Sequence, residues 1–278
     1  MRYVRVRSTD EILAALREDG AALLAGGTDL LVKMRSGLAA PKLLVDISEV
    51  EALRGISEAA GALEIGAATP EQEILASEAV RERLPLLAQA LRFLGSVQIR
   101  NRGTLGGNLV NASPAADSAV PLLLYEAEVV MVGEAGQRVL PLEAFLLGPG
   151  KTALEVGEFV RAIRVPIPQG SFLPFFHKVG KRRALTIAIA SVGALIRTDE
   201  GRILEARFAA GSVAPVPLRL RAVEAALSAG EPTEDSVSVA ARAAAAAVSP
   251  IDDVRASADY RRGVVADLVA RALRLTLP

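Results

Sequence analysis

Val97-Gln-Ile-Arg-Asn-Arg-Gly-Thr-Leu-Gly-Gly-Asn-Leu-Val-Asn-Ala-Ser-Pro-Ala-Ala-Asp117 is the stretch of this 278-residue sequence that the rest must accommodate. It is too polar and too rich in glycine for the interior of a helix or strand, and a long loop inside a compact domain is usually functional. Its glycine doublet lies in Thr104-Leu105-Gly106-Gly107-Asn108-Leu109, and one other doublet occurs, in Ala25-Gly26-Gly27-Thr28-Asp29-Leu30. The flanks match in order: an apolar residue, two glycines, then a polar side chain. Glycine accepts φ > 0 and lets another group come close, so successive N–H groups can converge on an anion. A helix opening just after the turn adds its dipole. Either doublet alone reads first as an ordinary tight turn. Two with matched flanks, from different subdomains, could close on a diphosphate from both sides, which is the chemistry of a dinucleotide site.

Working outward, Ser8-Thr-Asp-Glu11 reads as a capping box for a helix over residues 11–17, closed by Gly20. The opening Met1–Ser8 alternates like an edge strand. A buried strand over 21–24, a helix over 28–35 and a second apolar strand over 43–47 complete a β-α-β unit ending near residue 55. Residues 61–68 read as a strand, Thr69-Pro-Glu-Gln72 as a helix start with Thr69 as N-cap, and 84–94 as an amphipathic helix. Strands are expected over 128–132 and 159–165, with a boundary at Pro166-Ile-Pro168-Gln-Gly170. Beyond it come strands over 172–179, 185–197 and 203–211, then helices over 218–229, 234–248 and 258–275. The alanine run 243–247 suits a buried, close-packed helix face.

Composition narrows the chemistry. Lys plus Arg (32) equals Asp plus Glu (32), which leaves no electrostatic footprint for nucleic acid or an anionic membrane. With no cysteine, the chain by itself holds no disulfide, thiolate nucleophile or iron–sulfur cluster. No window reaches the ~18 apolar residues of a membrane span, and the N-terminus lacks the apolar core of a signal peptide, so a cytoplasmic location is expected.

Several side chains invite a role. Gly148-Pro-Gly150-Lys-Thr152 imitates a P-loop, but position 145 is Phe145 where that motif needs glycine, and Pro149 removes a donor; a connector between strands is the better reading. His177, the single histidine, sits in an apolar strand and reads as a satisfied strand residue before a catalytic base; without a Gly-x-Ser-x-Gly elbow a hydrolytic triad is not expected. Lys178 points to the opposite face and is the better candidate for a cofactor contact, with a solvated lysine as the plain alternative. Asp117 reads either as the N-cap of a helix over 118–124 or as a carboxylate accepting hydrogen bonds from sugar or ribityl hydroxyls. Arg100 and Arg102 flank Asn101 on one face, where they could meet phosphate or a partner.

Taken together, Ala25–Leu30 and Gln98–Asp117 closely resemble the FAD-binding medium subunit of the molybdenum hydroxylases, a family that includes carbon monoxide dehydrogenase, xanthine dehydrogenase and 4-hydroxybenzoyl-CoA reductase. The resemblance covers the whole chain. Glu158-Phe-Val-Arg-Ala-Ile-Arg-Val-Pro166 is similar to the strand leading to the family's last domain, and Ser257-Ala-Asp-Tyr-Arg-Arg262 to its C-terminal helix signature. What the resemblance implies is an α+β protein: FAD-binding subdomains over 1–57 and 58–168, in the two-subdomain fold of the PCMH/VAO type, and a C-terminal α+β domain, an antiparallel sheet plus helices, over 169–278. By the family's pattern Leu23, Leu24, Ala25, Gly26, Gly27, Thr28 and Asp29, with Leu30, and Thr104, Leu105, Gly106, Gly107 and Asn108 wrap the FAD pyrophosphate. Asp117, with Ser113 nearby, matches the acidic residue on the cofactor's sugar-like portion, Leu94 and Val160 match apolar contacts, and Lys178 matches a lysine near the isoalloxazine. No catalytic side chain and no metal ligand is implied. Many relatives carry an acidic residue shortly after the basic stretch that follows this lysine, where the chain has Thr186.

The same resemblance implies partners: a large molybdopterin-binding subunit that oxidises substrate and a small 2Fe–2S subunit, in a hetero-oligomer. FAD on this chain would collect the electrons and pass them to NAD, a quinone or another acceptor, with the protein binding, orienting and tuning the flavin. A stand-alone FAD oxidoreductase and a non-catalytic structural or assembly subunit are the alternatives, the second opposed by the intact glycine doublets.

Overall fold

The strand Leu43–Asp46 is buried along its whole length, as an apolar run flanked on both sides requires. In the computed structural model, which describes residues 1–182, 186–227 and 232–277, Arg2–Arg5 and Ala21–Leu24 pair with it, both parallel. The charged alternation of Arg2–Arg5 suits its place on the edge. Ser8 caps the helix Thr9–Leu16 by accepting from Glu11 N at 3.2 Å. The return bond of the box falls one residue earlier than expected, with Arg7 N donating to Glu11 Oε2 at 2.7 Å.

The chain divides into two compact units, one of Met1–Ser77, Ser96–Ala112 and Glu126–Ile167, the other of Glu78–Gly95, Ser113–Tyr125 and Pro168–Pro278. Besides the parallel sheet, the first unit holds an antiparallel sheet in the order Ile56–Ala59, Ala62–Gly66, Phe159–Pro166, Glu128–Gly133, Gly136–Pro141. Its two outer strands escape the sequence reading because each is short, polar and largely exposed. Gly148-Pro-Gly150 is the turn between the short strands Leu146–Gly148 and Lys151–Thr152, a connector as expected.

Two expectations are corrected here. Thr69 does not cap a helix: its hydroxyl accepts from Gly55 N at 2.9 Å, and Pro70 occupies the cap of Glu71–Ala76. The stretch 97–117 is no continuous loop either. Ser96 caps a short helix Val97–Arg100, and Thr104 caps a second, Leu105–Val110. Each cap supplies an acceptor that the polar residues on either side of the glycines had disguised as loop chemistry.

In the second unit an antiparallel sheet runs Leu173–Val179, Ala190–Asp199, Arg202–Gly211, Leu218–Arg219. Alternate residues of the Ala190–Asp199 strand serve two faces. Val192, Ala194 and Ile196 join Val264, Val265, Leu268 and Ala244 in one core, so the helices Glu234–Ala247 and Ala258–Arg274 cover that side. On the other side a Cβ at Gly193 would stand 2.8 Å from Val120 Cγ1, so the helix Ala119–Leu124 lies directly on the backbone. The alanine run does pack inward through Ala243, Ala244 and Ala247. The helix expected over 218–229 begins only at Arg221, because Leu218–Arg219 extends the sheet; its last expected residues, 228–229, and the start of the expected strand at Leu185, lie outside the described residues. Among the described residues no helix is long and apolar enough to cross a membrane.

Candidate functional site

In the first unit the Ala21–Leu24 strand, with Leu23 and Leu24 half-buried, runs into the turn Ala25–Asp29 and then the helix Leu30–Arg35. Gly27 takes φ +74°, a backbone region that L side chains rarely occupy. Gly26 is glycine for a different reason: a Cβ there would fall 1.8 Å from the Arg102 carbonyl oxygen. The first glycine turn is therefore in backbone contact with the Arg102–Gly103 peptide that leads into the second motif, with a Gly26 Cβ only 3.0 Å from Gly103 Cα. The N–H groups of Gly26, Gly27, Thr28 and Asp29 meet no acceptor among the described residues, and the Asp29 side chain caps nothing. Successive N–H groups left open beside a left-handed residue form a concavity suited to an anion.

The second motif differs, which corrects the expectation that both turns present converging donors. Leu105 N donates to Thr69 O at 3.3 Å, Gly106 N to Ala67 O at 2.9 Å, and Gly107 N to Thr104 Oγ1 at 3.2 Å. Two of these donors stitch residues 105–106 to the 67–70 segment, and the third closes the Thr104 cap. Gly106 serves the same contact, since a Cβ there would lie 2.5 Å from Ala67 Cβ. Gly107, by contrast, is exposed, and a Cβ on it would come near only the Thr104 hydroxyl, at 2.9 Å. Among the described residues only that hydroxyl comes near the position, so it offers a bare surface against which another molecule can lie. Asn108 Nδ2 donates to Glu71 Oε1 at 3.2 Å and is held there. A cleft lined by Ala25, Gly26, Ser48, Asn101, Arg102 and Thr104 opens beside the two turns.

Asp46 is a contributor that sequence reading missed. It ends the buried Leu43–Asp46 run and accepts from Tyr3 Oη at 2.5 Å, Arg5 Nε at 3.0 Å and Ser48 N at 2.9 Å. Burial works against its charge, but these hydrogen bonds hold its carboxyl at about 2. The bond to Ser48 N fixes the chain where it lines the cleft. An acidic residue closing an apolar strand was the available signal.

In the second unit Lys178 Nζ donates to Asp117 Oδ2 at 2.5 Å and to the Phe93 carbonyl at 3.0 Å. The two side chains are 4% and 6% exposed, so the lysine is not the solvated one of the plain reading. Asp117 does not cap either: Ser118 holds that position before Ala119–Leu124, without a side-chain capping bond. Burial raises the Asp117 carboxyl to about 6, with the Lys178 ammonium pulling the other way. Its Oδ1 is buried and accepts no hydrogen bond among the described residues. A buried carboxylate oxygen left open is costly in a closed interior and fits a hydroxyl donor from a ligand.

Leu94 terminates the helix Pro85–Phe93 and is 8% exposed; Val160 is 6% exposed, at a bulge of the Phe159–Pro166 strand. The Ser113 hydroxyl accepts from Ala115 N at 3.2 Å, shaping the turn that leads to Asp117. Arg100 and Arg102 do not share a face: Arg100 is buried and donates to Gln72 at 3.0 Å, whereas Arg102 is exposed beside the cleft. His177 is half-buried and stacks on Phe175 at 6.4 Å; burial, with Arg271 nearby, lowers its pKa. Thr186 packs tightly on Gly180, where a Cβ would meet its Cγ2 at 2.2 Å.

Comparison with known proteins places this geometry. Residues 1–168 match the family described as FAD binding domain in molybdopterin dehydrogenase, and residues 175–276 match the CO dehydrogenase flavoprotein C-terminal domain. The chain is 36% identical over 274 residues to the carbon monoxide dehydrogenase medium chain of Hydrogenophaga pseudoflava, covering 98% of this chain and 95% of that one. It is 32% identical over 255 residues to the xanthine dehydrogenase FAD-binding subunit of Escherichia coli O157:H7, covering 91% and 87%. Among solved structures, a chain of the H. pseudoflava carbon monoxide dehydrogenase that lacks the Mo-pyranopterin moiety of the molybdenum cofactor superposes with a TM-score of 0.95, over 100% of this chain and 98% of that one at 36% identity. Quinoline 2-oxidoreductase from Pseudomonas putida 86 follows at 0.94 and 27%, over 99% and 96%.

Proposed function

The chain belongs to the family of FAD-binding subunits of molybdopterin dehydrogenases, and from that premise we propose that it carries electrons from the iron–sulfur clusters of partner subunits, through its FAD, to an external acceptor. It is a flavoprotein subunit of a carbon monoxide dehydrogenase or xanthine dehydrogenase type oxidoreductase, and its cofactor is FAD. The observation that supports the reading most is the open run of N–H groups from Gly26 to Asp29, braced by the backbone of the second glycine motif.

The residues present suit FAD. From the first unit, the N–H groups of Gly26 to Asp29 would hold the pyrophosphate, with Leu23, Leu24, Ala25 and Leu30 setting the turn. Thr104, Leu105, Gly106 and Asn108 would hold the second motif in place so that Gly107 offers its bare surface, and Val160 an apolar contact. From the second unit, the open Asp117 Oδ1 would accept from a sugar or ribityl hydroxyl, Ser113 and Leu94 would shape that end, and Lys178 would hold the carboxylate ionised. Bound FAD supplies the redox chemistry; these side chains bind it, orient it and exclude water from it.

The sequence holds no cysteine to ligate an iron–sulfur cluster, which supports including in the proposal a small 2Fe–2S subunit and a large molybdopterin-binding subunit in a hetero-oligomer. NAD, a quinone or another carrier would be the acceptor, the location cytoplasmic, and nucleic acid no partner. The division at residues 57 and 168 belongs to the same proposal.

The chain purified with its partners should be yellow and contain one FAD per copy, measured by flavin absorbance after release against protein concentration. A folded preparation that lacks flavin and takes none up would overturn the reading. Co-purification with a cysteine-rich small subunit and a large one is the expected outcome for the complex; substrate turnover by the lone chain would replace the electron-carrier role with that of a stand-alone FAD oxidoreductase.

A further inference from the structure

The Ser257–Arg262 segment takes no part in the site described so far, yet it contains a buried cation with several fixed acceptors. Arg261, on the helix Ala258–Arg274, is 3% exposed at its side chain. Its Nη1 donates to the Ile189 carbonyl at 2.6 Å and the Ser212 carbonyl at 2.8 Å, and its Nη2 to Asp253 Oδ1 at 2.7 Å. Asp253 is itself fixed, accepting from Arg255 N at 2.7 Å and Ala256 N at 3.3 Å.

Both carbonyls lead to the Asp117–Lys178 pair. Ile189 N donates to Val179 O at 2.7 Å, one residue after Lys178. Ser212 N donates to Pro114 O at 2.8 Å, within the turn that runs from Ser113 into Asp117. Ser212 stands at φ +64°, a conformation costly for a residue with a side chain, and it persists only because its surroundings over-determine it. Arg261 holds its carbonyl while Pro114 holds its N–H. One planar guanidinium thus ties the backbone behind Lys178 to the backbone behind Asp117.

We propose that Arg261 is a positioning residue for the flavin site, setting the reach of Lys178 Nζ and of Asp117 by clamping the Ile189 and Ser212 carbonyls. This rests on the reading of Asp117 and Lys178 as FAD-facing groups. The geometry needs arginine: a fork of rigid donors spans two carbonyls and a carboxylate, which a single ammonium on a flexible stem does not reproduce.

The test uses the full chain freed of flavin and titrated with FAD, read by flavin fluorescence and by visible circular dichroism of the bound cofactor. Arg261→Lys should weaken FAD binding about tenfold and change the dichroism, the scale on which supporting partners of a site act. Leu268→Ala, on the same helix and buried in the core beneath it, should lower Tm while leaving FAD affinity within about twofold, because leucine donates no hydrogen bond to either carbonyl. Should Arg261→Lys not fold, Asp253→Asn, which keeps both carbonyl bonds but loosens their anchor, should still weaken binding about threefold. Combined with Asp117→Asn, Arg261→Lys should cost little more than Asp117→Asn alone, since it acts through that group. The inference is overturned by wild-type FAD affinity in the deciding variant, by full additivity of the pair, or by Leu268→Ala weakening FAD equally. A wild-type chain that binds no FAD would instead overturn the functional reading.

Discussion

Gly107→Leu should yield a folded chain that no longer retains FAD, while Gly26→Ala should lose the stability of the first unit together with the cofactor. The two glycines look interchangeable in sequence and are not so in structure. An alanine Cβ at position 26 would sit 1.8 Å from Arg102 O and 2.5 Å from Arg102 C, both backbone atoms, so the two turns must part. That forces apart backbone contacts rather than a flexible side chain, and a loss of roughly 3 kcal/mol or more is the expected scale for such strain. At position 107 the one near atom is the Thr104 hydroxyl at 2.9 Å. Disturbing that cap costs about 1 kcal/mol. Replacing glycine by leucine within the helix Leu105–Val110 returns a similar amount, about 0.8 kcal/mol. The net effect on Tm is therefore small, and the side chain fills the space in front of the turn. Thermal unfolding of the apo-chains and flavin content of the purified ones separate the two cases. One FAD per chain in Gly107→Leu, or an unchanged Tm in Gly26→Ala, would contradict the division of roles.

The positions that sequence read well are those whose behaviour is set by neighbours along the chain. The apolar run at Leu43–Asp46, the alternation in Arg2–Arg5 and the cap at Ser8 are local, and each stands where its pattern puts it. The recognised motifs at 25–30 and 98–117 reached further, to the family and to FAD, because a specific order of glycines and polar residues is rarely produced by packing alone. What sequence left hidden is long-range pairing. Whether Gly106 N is open or spent depends on Ala67 O, and the fate of Thr69 depends on Gly55. Asp117 looked like a helix cap because its neighbours are helical, but the buried ammonium that claims it comes from a strand 61 residues away. Arg100 and Arg102, adjacent in sequence to one asparagine, part ways because a glutamine on a distant helix takes one of them. Arg261 carried a signature without a reason until the carbonyls it bonds were visible.

FAD should bind more tightly as pH rises through about 6, and Asp117→Asn should abolish that dependence. In the apo-chain the Asp117 carboxyl is raised from 3.8 to about 6 by burial, so the folded state holds this proton more firmly than the unfolded chain does. Stability conferred by this group is therefore greatest at low pH, falls as pH rises between those two values and is level above them. A ligand hydroxyl donated to the open Oδ1 acts in the opposite sense: it favours the ionised form and expels the proton. Affinity must then rise with pH across the same range, by up to about tenfold per pH unit where one proton is released. Lys178→Met sharpens the contrast. It leaves the carboxylate buried with no counter-charge, at an expected cost of about 3–5 kcal/mol near neutral pH, much of which should return at about pH 5 as Asp117 takes up a proton. The same substitution should shift the rise in FAD affinity to higher pH, because without the ammonium the carboxyl ionises later. FAD titrations at a series of pH values on the wild type, Lys178→Met and Asp117→Asn decide the matter. A flat wild-type profile, or a slope that survives in Asp117→Asn, would mean that the open oxygen is not where the cofactor's hydroxyl binds.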